Sequence, residues 1–344
     1  MEQLMNLSRT DQRSSKNLTK IKTERNYLTQ DEVTDLVMER HIDVLRAAHE
    51  VAFKTVPIIE KTKAEISEEV LSSQLFNPYQ GQTERIELFL ETFHFKIVRL
   101  ERLISTIIQD ALNEVRTREV KFLNNEFKQF KKISPSPNSG AFINGIHYSD
   151  WINSIFVPLR RDVIGIYRVG ITNGQEPTHI IKKFAGTQQM GFKDSVFNTP
   201  INQIVSLVKT LVVQTANDER LRFYKSNADT FGSISWINPF SGGTDSRSGH
   251  STGDHYDLPS LSSSGGSPPW SSTLVHFNSR ATQIPLLGDD RASKVRLERW
   301  FGTRDKSYQE NVLGFQKFRL WSSGKLTRTQ AFDFKNNGIP LTAL

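Results

Sequence analysis

The feature that most constrains the fold is a single apolar stripe running through the first half of the chain. Ile86, Phe89, Phe93, Ile97, Leu100, Ile104, Ile107, Ala111 and Val115 recur at spacings of three and four, and Glu, Arg, Lys and Gln fill the positions between them. The pattern predicts a helix from about Thr83 to Phe130, about 70 Å long at 1.5 Å per residue. A helix of that length with one apolar face must bury it, either on helices folded back from upstream or on another copy of the chain. Self-association through the 83–130 helix is therefore one expectation. Phe89 and Phe93 lie on the stripe and are expected to pack rather than to bind a ligand.

The partner helices are written just before it. From Thr29, with Thr29 or Asp31 placed to cap, Val33, Val37, Val44, Ala48, Val51 and Ile59 fall at helical spacing. Pro57 should kink or interrupt that segment. Lys61 to Leu75 then forms a second helical piece ending at the turn Asn77-Pro78-Tyr79-Gln80-Gly81. Residues 1–29 carry Arg9, Arg13, Lys16, Lys20, Lys22 and Arg25 among Ser, Thr and Asn without an apolar period, which predicts a flexible basic arm or a frayed terminus. Ser134-Pro135-Ser136-Pro137-Asn138-Ser139-Gly140 breaks the helical pattern and marks a linker at 134–140. The expected organisation is an arm at 1–29, a helical domain at 30–133, and an α+β domain at 141–344.

Beyond the linker, Ile143 to Gly174 reads as a helix followed by a turn. Glu176-Pro177-Thr178 starts another helix, with Ile180, Ile181 and Phe184 on its buried side and Gly186 as its stop. Asn198-Thr199-Pro200 starts a third, leading through Ile204, Leu207, Val208, Leu211 and Val212 to Asn217, Arg220 and Tyr224. Two strand-like runs follow, Ser233 to Asn238 and Ala281 to Leu287, separated by a Gly/Ser-rich loop at 241–272. The fold class expected is α+β: an N-terminal long-helix hairpin or bundle, then a small α+β domain with a short sheet and a long loop.

Composition narrows the chemistry. The chain has 344 residues, no cysteine and a formal charge of +7, with a pI near 9.4 and a mean hydropathy of −0.45. Disulfides, thiolate catalysis and cysteine zinc sites are excluded. The positive balance suits either solubility or an anionic partner such as DNA. No apolar run is long enough to span a bilayer and Met1 to Asn17 is polar, so no membrane partner is expected.

No catalytic or metal-binding constellation stands out. Ser279, His276 and Asp245 could form a nucleophilic trio, yet no nucleophile elbow Gly-x-Ser-x-Gly is present. Gly242-Gly243 and Gly265-Gly266 do not sit between a strand and a helix, as a phosphate-binding loop would. His250 and Asp254-His255-Tyr256-Asp257 could ligate a divalent ion, against the alternative of a solvated loop. No cofactor and no metal are expected. A structural alternative pairs Asp245, Arg247, His276 and Arg280, with arginine bridging carboxylate between the two strand ends.

The order of landmarks resembles the phage head morphogenesis family, the minor head proteins typified by the F protein of bacteriophage Mu. The resemblance rests on Trp236 in the first strand, Asp245-Ser246-Arg247, Pro268-Pro269, and His276, Asn278 and Arg280 before the second strand. It continues through Trp300, Leu313-Gly314, Arg319-Leu320-Trp321 and Gly324-Lys325-Leu326, covering residues 170–344. It departs from the family where cysteines are usual; here Ser279 stands instead, and no thiol lies near Arg247. The resemblance implies a non-catalytic virion component in the capsid interior near the portal vertex, made in the host cytoplasm and acting in head assembly and DNA packaging or delivery. Its implied partners are the portal protein, a major capsid or scaffolding protein and viral double-stranded DNA. The basic tail residues Arg291, Lys294, Arg296, Arg299, Arg304 and Lys306 are the candidates for phosphate contact. Two other readings remain open: a DNA-binding internal or ejected protein, and a toxin-like enzyme domain on the same fold.

Overall fold

The computed structural model describes residues 28–72, 82–143, 145–237, 244–245, 250–251, 255–257, 282–287, 297–332, 334 and 337–344. The expected arm residues Arg9 to Arg25 and the turn at 77–81 lie outside the described residues.

Helix α1 spans Gln30–Ser72 and α2 spans Gln82–Glu126. A capping box starts α1: the Glu32 N–H donates to Thr29 Oγ1 (3.3 Å), and the Thr29 N–H donates back to Glu32 Oε2 (2.6 Å). That backbone donor holds the Glu32 carboxyl below its ordinary range. The expected interruption at Pro57 does not occur. The helix runs through it, with Thr55 and Ile59 on either side fully buried, because packing outweighs the one ladder bond that proline removes. Helix α2 lies antiparallel to α1. Lys96 Nζ reaches Glu69 Oε1 (3.0 Å) and Glu65 Oε2 (3.4 Å), while Arg40 reaches Glu119 at the other end. The stripe of α2 is buried at Phe93, Ile97, Leu100, Ile104, Ala111 and Val115. At the next turn Ile108 takes the core position and Ile107 is only half-buried.

A two-residue hairpin, β1 Phe142–Ile143 with β2 Ile146–His147, leads into α3 Tyr148–Thr172. Helix α4 spans Pro177–Ala185, and α5 spans Asn198–Ser226. Helix α5 is the centre of the protein. From Leu207 to Tyr224 only Lys209, Asp218 and Arg222 are not buried, and α1, α2 and α3 all pack on it, α1 most extensively. A helix enclosed on all sides needs no single apolar face, which is why its pattern is less regular than that of α2.

Strand β3, Phe231–Ile237, lies between its two partners. Antiparallel to it on one side runs β7, Thr282–Leu287, and on the other β6, His255–Asp257. The two strands expected from the sequence are thus direct neighbours. Short segments of the expected 241–272 loop are paired: His255–Asp257 with Ser233–Ser235, and β4 (Thr244–Asp245) with β5 (His250–Ser251). Pairing to a distant strand supplies the hydrogen bonds that the Gly/Ser-rich local sequence does not encode. Gln30 closes an edge of β7, donating to the Pro285 carbonyl (3.1 Å) and accepting from the Leu287 N–H (2.9 Å).

The tail forms α6 Leu297–Thr303, α7 Lys306–Leu313, α8 Phe315–Ser322 and α9 Arg328–Ala331. It is pinned to α1 by Trp300, whose indole N–H donates to Asp35 Oδ1 (2.6 Å), and by Arg46, which donates to the Asn337 carbonyl (3.0 Å). Phe301 is buried against Tyr308, Trp321 and Phe332. The protein is therefore mostly helical, with long N-terminal helices and a small sheet. One hydrophobic core extends from Val33 to Phe334, and residues on both sides of the 134–140 segment contribute to it.

Candidate functional site

The most elaborate polar construction lies inside the protein, where α1, α2, α5 and β7 meet. Glu119 on α2 is fully buried and takes a guanidinium on each oxygen: Arg220 Nε at 2.6 Å on Oε1 and Arg40 Nε at 2.9 Å on Oε2. Arg220, itself fully buried, donates to Thr282 Oγ1 (2.7 Å), and Thr282 donates to Asn217 Oδ1 (3.1 Å). Arg220 also lies 3.5 Å from His41 Nδ1. Arg40 stacks over the Phe122 ring at 4.8 Å and donates to the main-chain oxygen of Leu344. The Tyr224 hydroxyl is buried beside this cluster, and burial pushes its pKa well up, so it stays neutral.

The junction is built for position rather than reaction. Both oxygens of the carboxylate are occupied by arginines, with Glu119 and Arg220 fully buried and Arg40 nearly so, which leaves no room for a substrate at Glu119. Its effect is to fix the relative register of two helices, the central helix and the first residue of β7. Charges buried in this way tolerate little misplacement, because the cost of desolvation is offset only by good geometry.

The sequence reasoning anticipated an arginine–carboxylate tie near the strand ends, but from other residues. Of the tie residues, Arg247, His276 and Arg280 lie outside the described residues, as do the landmarks Pro268, Pro269 and Asn278 and the other candidates Ser279 and Asp254. Asp245 is in β4 opposite His250, and Trp236 is in β3 opposite Gln283. Glu119 and Arg40 were missed, and Arg220 was noted only as part of a helix. A signal was available: Glu119 stands four residues from both Val115 and Leu123, and Arg220 four from both Ala216 and Tyr224. A charge in phase with an apolar stripe must find a buried partner.

The segment at 134–140 is held to the same central helix. The Ser136 N–H donates to Glu219 Oε1 (2.8 Å), the Gly140 N–H to Asp218 Oδ2 (2.7 Å), and Arg116 Nε to the Ser139 carbonyl (2.9 Å). Asn227 clamps the preceding turn, accepting from the Lys131 N–H and donating to the Lys131 carbonyl. Beside it Phe130 stacks on Phe231 with ring centroids 4.7 Å apart.

Among the tail landmarks, Trp300 and Leu313 are buried. Gly314 has φ +77, and a Cβ there would lie 2.8 Å from the Asn337 side chain, so the α7–α8 corner requires glycine. Gly324 follows α8 and is exposed. Of the phosphate-contact candidates, Arg291, Lys294 and Arg296 lie outside the described residues, and Arg299 is in α6. Arg304 is engaged within the protein by Asp35 Oδ2 (2.9 Å) and the Trp300 ring (4.8 Å). Lys306 is exposed at the start of α7.

Grooves flank α3 on the surface. One, of about 360 Å³, runs between Trp151 and Ile155 of α3 and Thr199 and Gln203 of α5. Another, between α2 and α3, carries Arg102 and Arg160. Among the described residues no group of three or more His, Asp or Glu could hold a metal ion, and no helix is long and apolar enough to cross a membrane. Comparison with protein families, with curated proteins and with solved structures finds no match to this chain.

Proposed function

We propose that this chain is a minor head protein of a tailed phage, a non-catalytic component of the capsid interior near the portal vertex that acts in head morphogenesis and in DNA packaging or delivery. The observation that carries the reading is the order of landmarks from Trp236 to Gly324, described above as a resemblance. Two features of the fold support it. Strand β3, which bears Trp236, lies beside β7, the strand that follows the second group of landmarks in sequence, and the Trp300 helix is bound back onto α1 through Asp35. The partners on this reading are the portal protein, a capsid or scaffolding protein and double-stranded DNA. DNA is met through phosphates, without base reading.

Quantitative mass spectrometry of purified virions and empty proheads, counting this chain against the portal, tests the reading. A few copies in both particles is the expected result; absence from both defeats it. The exposed cations, Lys306 among them, favour DNA contact as part of this role. That element predicts binding of purified protein to duplex DNA that weakens steeply as salt rises.

A further inference from the structure

We propose that the turn at 187–195 is a rigid docking tip that inserts Met190 and Phe192 into an apolar pocket, rimmed by carboxylates, on another protein of the head. The proposal rests on the functional reading above for the setting of that partner; the surface itself is read from the structure alone.

Between α4 and α5 the chain forms a short 3-10 turn, Gln188–Met190, and then exposes two large apolar side chains in succession, Met190 at 59% and Phe192 at 56%. Phe192 has φ +61 and is the one residue other than glycine with positive φ among the described residues. Side chains with a Cβ avoid that region, so a conformation of this kind persists only where the surroundings impose it. Here they do. The Phe192 N–H donates to the Thr187 carbonyl (2.9 Å), and both oxygens of Asp194 are taken by Thr187, its N–H at 2.8 Å and its hydroxyl at 2.9 Å. Ser195 Oγ donates to the Phe184 carbonyl (2.5 Å), and the Val196 N–H to that of Lys183 (3.1 Å). The Phe192 backbone presses on Gly186, where a Cβ would lie 2.8 Å from the Phe192 carbonyl oxygen.

The turn thus ties Thr187, Asp194 and Ser195 into its frame and leaves Met190 and Phe192 in water. A rigid aromatic anchor loses little conformational freedom on binding. Charge specifies the partner. Lys182, Lys183 and Lys193 are all exposed around the turn, while Asp194, the one acid between Lys182 and Asn198, is bound to Thr187. A partner with carboxylates around its pocket complements that pattern. Rigidity favours a protein over a lipid surface, because a bilayer accepts an aromatic ring in many orientations and a packed pocket accepts few.

The test supplies full-length wild-type chain, Phe192→Gly, Met190→Ser or the Lys182→Glu/Lys183→Glu/Lys193→Glu variant to cells assembling heads without their own copy. The chain is then counted per purified head. Phe192→Gly relieves the backbone conformation, so its melting temperature should match or exceed that of wild type while its incorporation falls roughly tenfold or more, as for loss of a central aromatic anchor. Met190→Ser and the charge-reversal variant should fall in the same direction. Wild type present with Phe192→Gly and Met190→Ser equally abundant overturns the docking tip and leaves the functional reading intact. Wild type absent from heads overturns both. Tip-dependent dimerisation of the purified protein in sedimentation, or tip-dependent flotation with phosphatidylglycerol vesicles, overturns the assignment of an acidic protein pocket.

Discussion

Where Glu119 meets Arg40 and Arg220 the protein has placed charge in its interior, and at Met190 and Phe192 it has placed apolar surface in water. The two regions depart from the usual distribution in opposite directions, and each is stabilised by what the other lacks. At the junction Glu119 bridges two guanidiniums while Phe122 and the surrounding helices exclude solvent. In the turn, hydrogen bonds from Thr187 to the Asp194 carboxylate and from Ser195 to the Phe184 carbonyl hold a conformation that apolar packing does not support. Buried charge here serves to align long elements, whereas Met190 and Phe192 sit on a short element that can be shaped without disturbing the core.

The comparison can be broken most forcefully at the junction. Glu119→Gln should leave two buried guanidiniums facing a neutral group and cost about 3–5 kcal/mol, read as a lower midpoint in urea unfolding. A triple variant replacing Glu119, Arg40 and Arg220 with Leu and Met should recover most of that loss. If the single variant unfolds at the wild-type midpoint, the junction does not align the helices. Next in size, Gly186→Ala introduces a Cβ against the Phe192 backbone at φ +83 and should cost about 2 kcal/mol. Its effect should be local, seen as faster amide exchange at 187–196 before any change in α5.

Phe192→Gly sharpens the contrast, because it should stabilise by roughly 1 kcal/mol; a lower melting temperature would show that the ring packs on the fold after all. The smallest effect concerns pH. Hydrogen bonds from Thr187, its backbone N–H first, hold the Asp194 carboxyl below its ordinary range. A depressed folded-state pKa gives stability that is present above the unfolded value, about 3.9, and is lost as pH falls through the folded one. The Thr187 amide resonance should therefore titrate with a midpoint below about 3.9.

Much of the helical framework was legible in sequence because its signals are short-range. Thr29 and Glu32 close their capping box within one turn, Pro177 opens α4 and Gly186 ends it. The α2 stripe named its core face, with Ile108 in place of Ile107 and Leu90 buried more deeply than Phe89 as shifts of phase. The interruption that Pro57 signals is absent because the cost of a proline is local, whereas the packing that carries α1 through it comes from distant residues. Strand β6 was hidden for a similar reason: His255–Asp257 owes its conformation to β3, more than twenty positions upstream. The candidate site was the least legible part. Arg220, Glu119 and Arg40 come from three helices, and no sequence spacing relates them. The turn at 187–195 contains no periodic pattern, and its conformation follows from Thr187, Asp194 and Gly186 meeting in space.

Sequence alone is enough to place the starts of α1, α2, α4 and α5, the apolar face of α2, two strand segments flanking a long Gly/Ser-rich stretch, and the absence of thiol chemistry. These follow from neighbours a few residues apart, where covalent spacing fixes geometry. Only the tertiary structure decided that α5 lies at the centre, that Glu119 holds two arginines, that Arg304 is engaged by Asp35, and that Phe192 is turned outward at positive φ. Each of those depends on groups brought together by the collapse of the whole chain, and desolvation makes their pairing strong only once that collapse has occurred.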